Sequence, residues 1–210
     1  MDRIFLKDKA YQELRGLLLD GTFLPGEFLS ERKLGEQLGM SKTPIRAALE
    51  RLEMEGFVRT SPQQGIVVRE LSLREICEHY EIRAALEGYT VQQIAGRLTP
   101  EQAARVEATL HTQEVCMDAN DIPGHVAADA AFHLLLADFL GNQEILRVMQ
   151  HQRDKIFRVT LHISQQHPDR MAHSLAEHRR IFAAVRDGQA EEAATCMREH
   201  LEAGKQYLLH

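Results

Sequence analysis

Ser30–Val68, SERKLGEQLGMSKTPIRAALERLEMEGFVRTSPQQGIVV, sets two short helices, a tight turn and a β-wing into one brief segment. Ser30 stands at the N-cap position of the first helix and Glu31 in its first turn, where the helix dipole favours an acid. Leu34 and Leu38 lie four apart on one face, and Gly39 supplies the stop. Ser41 caps a second helix whose Ile45, Ala48, Leu49 and Leu52 follow the i, i+3, i+4, i+7 pattern of a buried stripe. Its other side carries Lys42, Thr43 and Arg46. Pro44 falls inside the first turn, where its missing N–H costs nothing. After Gly56, residues 57–60 read as a strand, 61–65 as a turn and 66–68 as a returning strand.

Two helices joined by about three or four residues, the second opening with cationic and hydroxyl side chains, suit insertion into a DNA major groove. Arg46 is placed for a bidentate contact to guanine. Arg32, Lys42 and Thr43 suit phosphates or base edges, and Gly65 lets the wing backbone approach the DNA. Residues 10–68, with the Pro25-Gly26 turn, Ser30-Glu31, the Ser41–Arg46 core, Glu55-Gly56 and Gly65, resemble the winged helix-turn-helix of GntR-family regulators. The resemblance implies operator contacts at Arg32, Ser41, Lys42, Thr43 and Arg46 and at the wing residues Gln64 and Gly65. Lys42 stands where many relatives carry arginine; a lysine is a point charge without the fork.

The chain has 210 residues, 44% hydrophobic and 27% charged, enough for two cores, and no apolar run long enough to cross a membrane. A first decade bearing Asp2, Arg3, Lys7, Asp8 and Lys9 is unlike a signal peptide, so the expected location is the cytoplasm. Cys77, Cys116 and Cys196 are widely spaced with no CxxC, which fits neither a disulfide framework nor a cysteine metal site. Residues 1–70 carry 11 basic and 11 acidic side chains, whereas residues 71–210 carry 14 and 20 and hold the whole net charge of −6. A neutral DNA-binding domain must rely on placement of charge rather than excess, so binding should be specific, dimeric and salt-sensitive.

All eleven histidines lie beyond residue 70. The expected boundary is at Arg69–Ser72, where the wing ends and Ser72-Leu73-Arg74-Glu75 forms a capping box. The expected domains are thus 1–70, the DNA reader, and 71–210, an antiparallel bundle of six helices. Those helices read as about 73–97, 99–118 behind Thr99-Pro100-Glu101-Gln102, 123–140, 142 to the mid 160s, 168–187 and 189 onward, punctuated by Gly141 and Gly188. The fold class is mainly α.

Asp129 and His133 stand four apart on the third bundle helix, a spacing that lets both reach one metal ion, with His178 and His200 in the middle of the fifth and sixth. From the residues alone, the simpler reading is a surface Asp/His hydrogen bond and two packed histidines. The resemblance bears on this choice. Asp129-Ala-Ala-Phe-His133, Glu177-His178-Arg179-Arg180-Ile181 and Met197-Arg198-Glu199-His200-Leu201, behind a GntR-type winged helix, resemble the FCD effector domain of the FadR subfamily. The six-helix count is closer to its VanR-type branch. The resemblance implies one divalent ion per chain on Asp129, His133, His178 and His200, with Zn²⁺ the first choice and Ni²⁺, Mn²⁺ or Fe²⁺ also suited.

Glu81-Ile82-Arg83-Ala84-Ala85-Leu86-Glu87 also follows the family pattern, in which the position of Arg83 binds a carboxylate effector. A salt bridge to Glu87, one turn on, is the equally simple reading of Arg83; Glu87 and Arg153 complete the candidate effector residues. The remaining histidines, His125 among them, read as surface residues, with His173 near the pocket mouth. The expected function is a metabolite-responsive transcriptional regulator that binds a pseudo-palindromic operator as a homodimer. The alternative is a DNA-tethered metalloenzyme acting on a small organic acid. It lacks a clear general base, since Glu177 should point about 100° away from His178. No GxxxxGK[ST], GxSxG or HExxH motif appears either.

Overall fold

The computed structural model describes residues 5–61 and 65–208, in two compact units, Met1–Leu71 and Ser72–His210. The first unit runs α1 (Leu6–Leu19), β1 (Phe28–Leu29), α2 (Glu31–Leu38), α3 (Lys42–Met54), β2 (Val58–Ser61) and β3 (Gly65–Val68). The strands form an antiparallel sheet in the order β1-β3-β2, with Leu29 and Thr60 both opposite Ile66. The stripe read on α3 is the core of this unit: Ile45, Ala48, Leu49 and Leu52 are at most 1% exposed.

Two elements carry no strong signal of their own and were not expected. α1 packs Ala10, Tyr11, Leu14 and Leu18 into the same core. The Tyr11 hydroxyl donates to Glu55 at 2.8 Å, and the Arg51 guanidinium lies 3.6 Å from the ring centroid. β1 has two residues and exists only because β3 offers it a partner edge. Ser30 and Ser41 take the extended backbone of an N-cap, but neither side chain makes a cap hydrogen bond. The α2–α3 turn is tight because Gly35 has no side chain; a Cβ there would lie 2.8 Å from the Met40 carbonyl oxygen.

The second unit comprises α4 (Leu73–Ile94), α5 (Pro100–Asp118), α6 (Ile122–Leu140), α7 (Gln143–Gln166), α8 (Asp169–Arg186) and α9 (Ala190–Gln206). Ser72-Glu75 and Thr99-Gln102 form complete capping boxes, and Asp121 and Asn142 cap α6 and α7. The bundle pairs α4 with α9, α5 with α6, α6 with α7 and α8 with α9. α4 ends at Ile94, short of the expected 97. Ala95 leaves the helical region, and the Gly96 N–H donates to the Val185 carbonyl at 2.8 Å. A Cβ on Gly96 would meet the Gly188 Cα at 3.2 Å, so two glycines allow the two chain turns to touch. Among the described residues, no helix is long and apolar enough to cross a membrane.

Candidate functional site

Inside the apolar bundle lies a knot of buried polar side chains. α6 presents Asp129 and His133 one turn apart, α8 presents His178 and α9 His200, and they are 7%, 4%, 0% and 5% exposed. One nitrogen or oxygen from each lies within 4.8 Å of all the others. His178 Nε2 stands 3.2 Å from His133 Nε2 and 3.2 Å from His200 Nε2. Asp129 Oδ1 is 3.6 Å from His178 Nε2, and its Oδ2 is 3.9 Å from His133 Nε2. The Ser174 hydroxyl donates to Asp129 Oδ1 at 3.1 Å and orients the carboxylate.

The outer nitrogens decide what the inner ones offer. His178 Nδ1 faces Gln113 Oε1 at 2.8 Å, His200 Nδ1 faces Glu177 Oε2 at 2.7 Å, and His133 Nδ1 lies 2.5 Å from Glu87 Oε2. The Gln113 and Glu177 oxygens only accept, so Nδ1 of His178 and of His200 carries the hydrogen and their Nε2 atoms a lone pair. Burial, then the neighbouring His200 and His133, holds His178 well below the usual histidine range, and burial lowers His200 too. His178 and His200 therefore aim Nε2 lone pairs at each other with no hydrogen between them, and His133 Nε2 joins them at the same point. A divalent ion relieves that repulsion, and three imidazoles with one carboxylate are a donor set that fits it. Burial alone would raise Glu87, but Arg83 and His133 overrule it and hold the carboxyl below the usual range.

Two small cavities, of about 30 and 40 Å³, flank the cluster, and Arg83, Asp129 and Thr160 line both. Each has room for a few waters or a short acid. Arg83 Nε binds Glu87 Oε1 at 2.6 Å, so the salt bridge read as the simpler account of Arg83 is present while the same guanidinium lines the cavities. Arg153 lies exposed on α7 at the wall of the larger cavity.

Two residues of the cluster, Gln113 and Arg170, were not singled out from sequence, and Glu177 was weighed only as a base and set aside. Gln113 is fully buried, and its amide Nε2 donates to the Ala128 carbonyl at 3.4 Å, which turns its oxygen to His178. Glu177 points away from the point where the Nε2 atoms meet, as helical spacing requires, and holds His200 from outside. Arg170, 5% exposed, donates through Nη2 to Glu177 at 2.7 Å. Gln113 and Glu177 are marked by contacts to histidines on other helices, and Arg170 by its contact to Glu177 two turns along α8; no motif carries such contacts. The surface reading of His125 is corrected: it is 2% exposed, with Nδ1 3.0 Å from the Gln113 carbonyl oxygen, because the start of α6 packs on α5. His173 lies on the surface with Nδ1 3.2 Å from the Tyr207 hydroxyl.

In the first unit, Arg32, Ser41, Lys42, Thr43, Arg46 and Gly65 are all exposed; Gln64 lies outside the described residues. Glu31 gathers the two main cations, taking Arg46 Nε and Nη2 at 3.2 Å each and Lys42 Nζ at 3.2 Å. The Arg46 hydrogen bonds hold the Glu31 carboxyl below its usual range. Arg32 pairs with Glu36 at 3.6 Å.

Residues 6–68 match the gntR family of bacterial regulatory proteins, and residues 78–203 match the FCD domain. The chain belongs to the GntR family of transcriptional regulators, in the FCD-bearing group that fits the FadR subfamily. The Nta operon transcriptional regulator of Aminobacter aminovorans is 31% identical over 86% of this chain and 83% of its own length. The HTH-type regulator YdhC of Bacillus subtilis is 29% identical over 95% and 89%. A GntR regulator structure from Rhodococcus sp. RHA1 superimposes with a TM-score of 0.85 at 26% identity, over 96% of this chain and 97% of that one. These relatives and structural neighbours are transcriptional regulators, not enzymes, and Glu177, next to His178 in the chain, is held by Arg170 and His200 rather than free as a base.

Proposed function

We infer that this regulator senses a small organic acid through a metal-bearing bundle and reports it to DNA as a homodimer. Residues 1–70 read the operator and residues 71–210 bind metal and effector and dimerise. In the reader, Arg46 meets a guanine edge while Arg32, Ser41, Lys42, Thr43, Gly65 and Gln64 hold phosphates and neighbouring bases. In the bundle, Asp129, His133, His178 and His200 hold one divalent ion, Zn²⁺ first among the candidates. Such an ion supplies a positive centre for a carboxylate oxygen; Arg83, steadied by Glu87, takes the acid through its fork, with Arg153 at the outer wall. The bound acid favours one arrangement of the paired readers and so changes operator affinity.

The convergence of three Nε2 atoms beside Asp129, two of them with the outer nitrogen held by an acceptor, carries this reading. Elemental analysis of protein purified without chelators tests it. The expected result is one divalent ion per chain, reduced to a small fraction in His178→Ala. Metal-free wild-type protein overturns the assignment.

A further inference from the structure

α6 is apolar on the side that faces away from the bundle core. Among its nineteen residues there is no lysine, arginine or glutamate, and of its two aspartates Asp129 is buried. The polar His125, Asp129 and His133 are the ones turned inward, while Ala127, Ala131, Leu134 and Leu135 are exposed or half-buried. A surface helix ordinarily carries its charge on the outer side, and one that is apolar all round is normally covered. α7 supplies a second wall. The turn Gly141-Asn142 joins the two helices, so they lie antiparallel, and Leu146 and Arg153, two turns apart on one face of α7, complete a surface groove of about 330 Å³. Ala127 and Ala131 keep the α6 side low, so the backbone of an incoming helix can come close.

Two charges lie in this groove, set apart along it: Asp138 in the last turn of α6, near the turn into α7, and Arg153 in the middle of α7. Neither has an ion-pair partner among the described residues, unlike Arg147 on α7, which pairs with Glu144. Opposite charges set apart along one apolar groove match the same groove turned through a half-turn. Asp138 then meets Arg153 of the partner subunit, and Arg153 meets the partner's Asp138. A second copy of the chain supplies that pattern by symmetry.

We propose that the groove between α6 and α7 is the seam on which a second copy of this chain docks, apolar floor on apolar floor, with two Asp138–Arg153 pairs closing it. This rests on the reading of the regulator as a homodimer and names the surface that makes it one. An apolar centre with charges toward the rim is the ordinary anatomy of such a surface. Leu134 and Arg153 line the larger cavity as well, so the seam and the metal-side cavity share a wall.

Sedimentation velocity of full-length, metal-loaded protein over a range of concentrations tests the proposal, with helix content followed by circular dichroism. Wild type is expected to be a dimer. Ala131→Glu, which the two-fold buries twice, is expected to weaken dimerisation about a hundredfold with helix content unchanged. Asp138→Arg sets like charges together and is expected to weaken it about tenfold, and adding Arg153→Asp to the same chain is expected to restore it. A wild-type dimer that Ala131→Glu leaves intact overturns the seam and leaves the homodimer standing. A double substitution no better than Asp138→Arg alone overturns the two-fold docking. Wild type that stays monomeric at every concentration overturns the homodimer reading beneath and gives the groove to a partner of another kind. Should Ala131→Glu fail to fold, Ala127→Glu on the same exposed face replaces it: loss of the dimer supports the seam, and an intact dimer refutes it.

Discussion

Arg46 holds Glu31 with two nitrogens in the free chain, so reaching a base means exchanging or sharing that partner. The exchange is between exposed, solvated groups and is easily reversed. Arg46→Ala is expected to weaken operator binding about ten- to a hundredfold and to relax preference at one base pair, measured by titration against operators varied one position at a time. Equal weakening on every sequence makes Arg46 a phosphate contact instead. In the bundle, Gln113 acts through His178 Nδ1. Gln113→Leu removes the acceptor that keeps the hydrogen on that nitrogen, and metal affinity is expected to fall about ten- to a hundredfold in competition with a chromogenic chelator. Arg46 is visible in sequence because its role comes from position on one helix. Gln113 is not, because its partner is 65 residues away across the bundle.

The elements show the same division. Capping boxes at Ser72 and Thr99 are local in sequence and form as read. Ser30 and Ser41 look as good on paper, yet neither side chain caps; the backbone turns correctly while the hydroxyl stays unused by the helix. Ser72→Ala is therefore expected to destabilise the second unit by ~1 kcal/mol in chemical denaturation, and Ser41→Ala to leave stability nearly unchanged. Should Ser41→Ala weaken DNA binding without moving the denaturation midpoint, its exposed hydroxyl is a contact to DNA. α1 escaped the sequence reading because its packing partner lies beyond it in the chain: Tyr11 is settled by Arg51 on α3 and by Glu55 at the C-cap of that helix. β1 escaped because two residues carry no periodicity.

For the molecule as a whole, two coupled readers should act as a symmetric pair. A footprint with two-fold symmetry is expected, with affinity falling steeply as salt rises; an asymmetric footprint rules out the dimeric reader. Removing the metal with a chelator is expected to lower the melting temperature and abolish the effect of the acid on operator affinity. A ligand response that survives chelation makes the ion purely structural. Sequence alone determined what is periodic or contiguous: the stripe on α3, the cations at its start, the six bundle helices, and the spacing of Asp129 and His133. Tertiary structure alone decided that those histidines meet, because a lone helical histidine is equally a packed side chain. Only the meeting of α6, α8 and α9, with Gln113 on α5 and Glu177 on α8 as outer acceptors, brings three Nε2 atoms to one point. It also left Arg170 with a buried donor that meets no partner among the described residues, since a hydrogen bond depends on distance in space and not on separation along the chain.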